Sequence, residues 1–233
     1  MNQGHSEDRI GAISAISGAV LLAFGTYLHP LQADPNDASR AFAEYAADHL
    51  WVASHLTQFL GVVLMVGALV LLSRSMANGP AAHWAHLGIA GAIASLAMTS
   101  ALQAVDGVAL KVMVDTWAGA PENEKSMLFQ GAFAVRQIEI GLASLMTLLF
   151  GVTVMIYGIA LVVDRSFPTW LGVLGIAGGV PLLVAGTVMA HTGFSEVAMA
   201  VSMPSSILLL AWIISVGIFM WPCPPIAGAS RTE

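Results

Sequence analysis

Six long apolar stretches, at about residues 10–28, 54–73, 85–106, 140–163, 171–190 and 205–221, divide the chain, and polar residues collect between them. Each is close to the ~20 mostly apolar residues with which an α-helix crosses a bilayer. None alternates as a membrane β-strand does, and the first lacks a small-residue cleavage site behind its apolar run. The pattern predicts an all-α polytopic membrane protein, a single domain of six transmembrane helices over residues 1–233. Trp51, Trp84, Trp117, Trp170 and Trp221 fall at or just beyond the ends of these stretches, where indoles favour the headgroup zone, and Trp212 alone falls inside one.

Short strings recur along the first, third and fifth stretches. Gly18-Ala-Val-Leu-Leu-Ala-Phe-Gly25-Thr26 precedes His29, and Gly179-Val-Pro-Leu-Leu-Val-Ala-Gly186-Thr187 precedes His191. Leu87-Gly-Ile-Ala-Gly91 is repeated as Leu174-Gly-Ile-Ala-Gly178. With a returning helix after each copy, the expected arrangement is three helical hairpins in parallel repeat. Small residues at such positions also allow helices to approach closely.

Composition removes the soluble alternatives. Hydrophobic residues make up 57% and charged residues 9%, with a mean hydropathy of +0.80, far from the balance of a soluble domain. Basic residues between the stretches give Arg9, Arg74, Arg165 and Arg231 on one side against Arg40, Lys111 and Lys125 on the other. The larger set marks the cytoplasmic side, so both termini are expected in the cytoplasm and the protein in the inner (plasma) membrane. Asp34, Asp37, Glu44, Asp48, Asp115, Glu122, Glu124 and Glu196 make the outer segments acidic, which argues against nucleic acid as a partner. The lone Cys223 rules out an intramolecular disulfide.

Chemistry concentrates in one layer. With ~1.5 Å of rise per residue, His55, Asp106 and His191 each fall about 26–30 Å from the opposite end of their helix, and Arg136 and Glu139 lie slightly higher. His55 with Gln58, Gln103 with Asp106, and Arg136 with Glu139 are three residues apart, so each pair shares a helix face. Ionisable groups at the membrane are a functional signal, usually paired, and Arg136 with Glu139 is the expected ion pair. With His29 and His191, these faces would form a cup opening outward. Residues 30–50 read as an outer loop with a short interfacial amphipathic helix, on which Phe42, Tyr45 and Ala46 share a face and which would cap the cup. Residues 107–139, broken at Pro121, read as an extension of helices three and four beyond the membrane. Near the midplane the chain offers almost nothing polar. His83 and His86 read as a solvated helix start.

Two chemistries suit this cup. Haem b would take imidazole ligands from His29, His55 or His191, with Arg136 for a propionate, and would serve electron transfer with a redox partner on the outer side. A metal ion would take His55, His191, Asp106 and Glu139. The alternative is cofactor-free binding or transport of a small solute or lipid, with Asp106, Glu139 and the histidines titrating. A third possibility is a structural membrane partner whose polar layer locks the helices. Nothing in the sequence identifies an enzyme class.

His29-Pro30 after the first stretch and Trp51-x-x-x-His55 at the opening of the second complete a pattern that resembles the uncharacterised six-helix integral membrane proteins common in bacteria. The resemblance covers most of the chain and implies a fold and a membrane location, with no catalytic residue to carry over.

Overall fold

The computed structural model describes residues 3–221, so Arg231 and Cys223 lie outside the described residues. These form α1 (Gln3–Leu28), α2 (Ala38–Ala47), α3 (Trp51–Ser75), α4 (Ala82–Gln103), a π-helical segment (Ala104–Leu110), α5 (Lys111–Ala118), α6 (Glu122–Asp164), α7 (Thr169–Thr192) and α8 (Glu196–Met220). No strand occurs among the described residues. Six helical stretches are long and apolar enough to cross a membrane, with α4, the π segment and α5 counting as one from Ala82 to Ala118. The protein is therefore a multi-pass membrane protein whose partner is the lipid bilayer.

The 43 residues of α6 span about 65 Å, roughly twice an apolar bilayer core. Its first turns, from Glu122, pack beside α5. No break interrupts it, because apolar and helix-favouring residues continue through Ala132, Ala134 and Val135.

The spanning helices close into a ring in which α1 meets α3 and α8, α4 bridges α3 and α6, and α7 joins α6 to α8. The most extensive pairings are α6 with α7 and α1 with α3. The three expected hairpin pairs, α1 with α3, α4 with α6 and α7 with α8, are all in contact, and α7 packs more extensively on α6 than on α8. Glycines show why. A β-carbon on Gly18 would lie 2.7 Å from the Gly61 carbonyl oxygen, and one on Gly25 2.7 Å from that of Ser54. In the other pair, a β-carbon on Gly179 would lie 2.6 Å from the Gly151 oxygen, and one on Gly186 2.8 Å from that of Ser144. The repeated Gly-x6-Gly string thus seats a helix against an antiparallel Ser-x6-Gly string, backbone to backbone. The repeated string marks this seam.

The interior holds several polar side chains along the spans. Ser73, Ser95, Thr99, Thr153 and Tyr157 are all buried. The Ser73 hydroxyl lies 2.8 Å from that of Tyr157, which donates to the Leu69 carbonyl at 3.0 Å, and Ser95 Oγ lies 3.3 Å from Thr153 Oγ1. Gly88 and Gly91 on α4 make room for Tyr157 and Thr153. Single hydroxyls barely lower hydropathy and satisfy themselves on nearby carbonyls, so a hydropathy profile passes over them. Trp212 is buried as its sequence position implied, and its indole N–H donates to the Leu171 carbonyl at 3.1 Å.

Trp84, Trp170 and Trp221 are exposed at helix ends, as interfacial anchors should be. Trp51 is fully buried at the start of α3 and leaves that belt for the interior. His83 and His86 are exposed at the start of α4.

Candidate functional site

The first turn of α3 carries Trp51, Ser54 and His55 inward. Ser54 Oγ donates to the Gly25 carbonyl at 3.0 Å, which fixes α3 on α1. The indole of Trp51 donates to the Asp106 carbonyl at 3.1 Å, which fixes α3 on the π segment. A π turn holds one more residue than an α turn and recurs at functional sites. Here it carries Asp106 and, next to it, Gly107, whose missing side chain admits His55: a β-carbon there would lie 2.6 Å from His55 Cβ.

His55 is engaged on both sides of its ring. Nδ1 faces the Trp51 carbonyl at 2.7 Å and Nε2 faces Asp106 Oδ2 at 3.0 Å. A backbone carbonyl only accepts, so Nδ1 carries a hydrogen. Between Nε2 and the carboxyl oxygen one further proton is held, either as imidazolium with carboxylate or as neutral imidazole with carboxylic acid. A second rung lies one turn away, where Gln103 Nε2 donates to Gln58 Oε1 at 3.3 Å and Gln58 Nε2 donates to Thr26 Oγ1 at 3.4 Å. Two acceptors on these rungs, Asp106 Oδ1 and Gln103 Oε1, are buried without a hydrogen-bond donor.

Arg136 and Glu139 pair with each other. One guanidinium nitrogen reaches both carboxylate oxygens at 2.8 Å, and another donates to the Pro35 carbonyl at 3.1 Å. Both side chains are almost wholly buried. The guanidinium lies between the rings of Phe194, at 4.7 Å, and Tyr45, at 5.5 Å, where a cation is favoured by the ring quadrupoles.

His29, just past the end of α1, joins the group through its ring, 4.7 Å from Trp51 and 5.1 Å from His55 between centroids. Its Nδ1 donates to the Pro30 carbonyl at 2.7 Å, so the neutral ring presents a bare Nε2. Burial holds the pKa of His29 below its ordinary value, and the neighbouring His55 adds to that effect. Tyr45 completes the stack 4.2 Å from Trp51. Burial pushes its phenol up to about 12, so it stays neutral.

Over this group lies α2, a short helix within residues 30–50. Asp37 accepts from the Arg40 N–H at its start. Its apolar face, Phe42 and Tyr45, is covered by protein, packing with Leu110, Val114 and Ala132. Lys111 donates to the Tyr45 and Ala46 carbonyls at 2.9 and 3.0 Å, satisfying the end of α2. Glu44 accepts from the Gln32 and Ala33 N–H groups, tying α2 to the strand of chain that leaves His29.

His29, His55, Asp106, Arg136 and Glu139 are thus brought together. His191 is exposed in the last turn of α7 and makes neither a hydrogen bond nor an aromatic contact within the group. Among the described residues, no three His, Cys, Asp or Glu side chains converge as a metal-holding set. Tyr45, Gly107, Lys111 and Phe194 were not anticipated as parts of the site. The sequence signal for Gly107 is its place directly after an intramembrane aspartate. Phe194 and Lys111 carry no such signal.

A family model described as Domain of unknown function (DUF4386) matches residues 11–220. No curated protein and no solved structure matches the chain.

Proposed function

The chain belongs to the DUF4386 family, and from that premise we propose that it binds a small polar solute beneath α2, at the outward-facing end of its bundle. One observation carries this: Asp106 Oδ1 and Gln103 Oε1 are buried, lie one turn apart, and receive no donor from the protein. Buried acceptors are nearly always satisfied, and exceptions mark sites where something else supplies the hydrogen. A solute bearing donors suits them. The proton between His55 and Asp106 gives the site a second variable, since a donor arriving at Asp106 changes how firmly that proton is held. Entry requires α2 to lift, breaking the bonds from Lys111 and from Arg136 to Pro35.

Neither haem b nor a metal ion fits the residues as they stand. Both nitrogens of His55 face protein oxygens, leaving no lone pair for iron. The rings of His29 and His55 are neighbours in one stack and do not face each other across a gap, and His191 lies apart. For a metal, Glu139 is already held by both oxygens on Arg136. The Arg136–Glu139 pair acts as a structural lock between α6 and the segment leading into α2.

The test is a panel of amines, polyols and amino acids, scored by thermal stabilisation of the detergent-purified protein. At least one class should raise the unfolding midpoint, and the gain should vanish in both Asp106→Asn and Gln103→Leu. A gain that survives in both variants would place binding elsewhere. No gain from any class, with the Gln103–Asp106 turn sealed in hydrogen exchange, would remove the solute site.

A further inference from the structure

The end of the bundle opposite α2 carries a cavity of about 320 Å³, at the small end of the range for sites that take small molecules. Its walls come from four places that meet only in the fold: the start of α1, the end of α3, the turn between α6 and α7, and the end of α8. Asp8 and Asp164 supply two carboxylates, while Phe167, Phe219 and Trp221 supply aromatic surface. Among the described lining residues, His5 is the single basic side chain. The nearby Arg74 is engaged by Glu7 at 3.2 Å.

Two local features keep Asp164 available. Ser166 N–H donates to its Oδ2 at 3.3 Å, which leaves Oδ1 to other partners. Gly79, in the loop after α3, approaches that oxygen so closely that a β-carbon would lie 2.9 Å from it, so any other residue there would fill the space. Arg165 follows with φ 61°, a left-handed conformation that non-glycine residues adopt at a cost of roughly 1–3 kcal/mol. That reversal ends α6 at Asp164 and brings Phe167 back to the same cavity.

We propose that this cavity binds the ammonium group of an amine, with Asp164 and Asp8 as its anionic partners and Trp221, Phe219 and Phe167 around its apolar body. An ammonium supplies three donors and a full charge to carboxylate oxygens, and aromatic faces attract the same charge. An uncharged or anionic ligand would leave two carboxylates uncompensated. The amine is either free or the headgroup of a membrane lipid, since Trp170 and Trp221 are half exposed beside the opening where headgroups lie. This site is separate from the one beneath α2 and stands without it.

The experiment is calorimetric titration of n-butylammonium chloride into the full chain in dodecyl maltoside, whose micelles carry no ammonium, with n-butanol as the uncharged control. Saturable binding of n-butylammonium alone is expected, weakened at least about tenfold in Asp164→Asn, weakened also in Trp221→Leu, and unchanged in Lys125→Gln, a surface substitution at the far end of the bundle. Competition by a short-chain phosphatidylethanolamine would identify a lipid headgroup as the source, and its failure to compete a free amine. Absence of saturable heat, unchanged affinity in Asp164→Asn and Trp221→Leu, or a loss in Lys125→Gln as large as in Asp164→Asn would each overturn the assignment.

Discussion

Gly107 packs so closely on His55 that a β-carbon added to it would lie 2.6 Å from the His55 Cβ. Gly107→Ala should therefore lower stability by about 1–3 kcal/mol, as overpacking of a filled interior does. The loss should largely disappear in a background of His55→Gly, which removes that Cβ and empties the space, whereas His55→Ala keeps the closest atom. Unfolding midpoints in detergent for the single and double variants check this, and equal losses in both backgrounds would show that His55 is not the obstacle.

Arg136 and Glu139 predict an asymmetry. Arg136→Met leaves Glu139 buried without its partner and should cost about 3–5 kcal/mol, whereas Arg136→Met combined with Glu139→Leu should recover most of it. The comparison needs only the two denaturation curves. A double variant as unstable as the single one would mean that the contacts of Arg136 to Pro35, Tyr45 and Phe194 matter more than the ion pair.

His29 predicts a pH dependence. Its folded-state pKa lies below its unfolded value of about 6.5 because burial disfavours the imidazolium. The unfolded chain therefore takes the proton first, and the contribution of neutral His29 is complete above about pH 6.5 and lost as pH falls through the folded pKa. Unfolding midpoints measured between about pH 8 and about pH 5 should fall on the acid side, and His29→Gln should flatten part of that slope. A slope identical in the variant would assign the dependence to other groups.

The glycines separate into two kinds. A β-carbon on Gly158 would lie 2.6 Å from the Gly172 carbonyl oxygen, while one on Gly141 would meet nothing within 4 Å. Gly158→Val should force α6 from α7 and destabilise markedly, and Gly141→Ala should stabilise by about 0.5–1 kcal/mol through helix propensity. Thermal midpoints for the two variants decide it, and a tolerated Gly158→Val would refute the backbone seam.

Much of this was legible in the chain. Six spans follow from hydropathy, since lipid forces every backbone group into a helix. The faces holding His55 with Gln58, Gln103 with Asp106, and Arg136 with Glu139 follow from their spacing. The extent of the α6–α7 pairing did not follow, because strings alike in α1 and α7 report how closely each can be approached and not by which neighbour. Ser54-x6-Gly61 and Ser144-x6-Gly151 were the complementary strings that held the answer. His191 was placed with the site by its depth, and depth says nothing about direction around a helix. The π segment was invisible as well, because nothing in the composition of Ala104–Leu110 marks a one-residue widening of a helix.

Backbones in direct contact have no layer of side chains that can shear. The α1–α3 and α6–α7 seams therefore make two stiff leaves, joined by α4 through side chains and by α8, where a β-carbon on Gly217 would lie 3.1 Å from the Ala12 carbonyl oxygen. His55 rides on one leaf, Glu139 on the other, and Asp106 on the joint between them. A relative motion of the leaves would load the two hydrogen bonds that tie α3 to Asp106, from His55 to its carboxyl and from the Trp51 indole to its carbonyl, which makes that pair the strain gauge of the molecule.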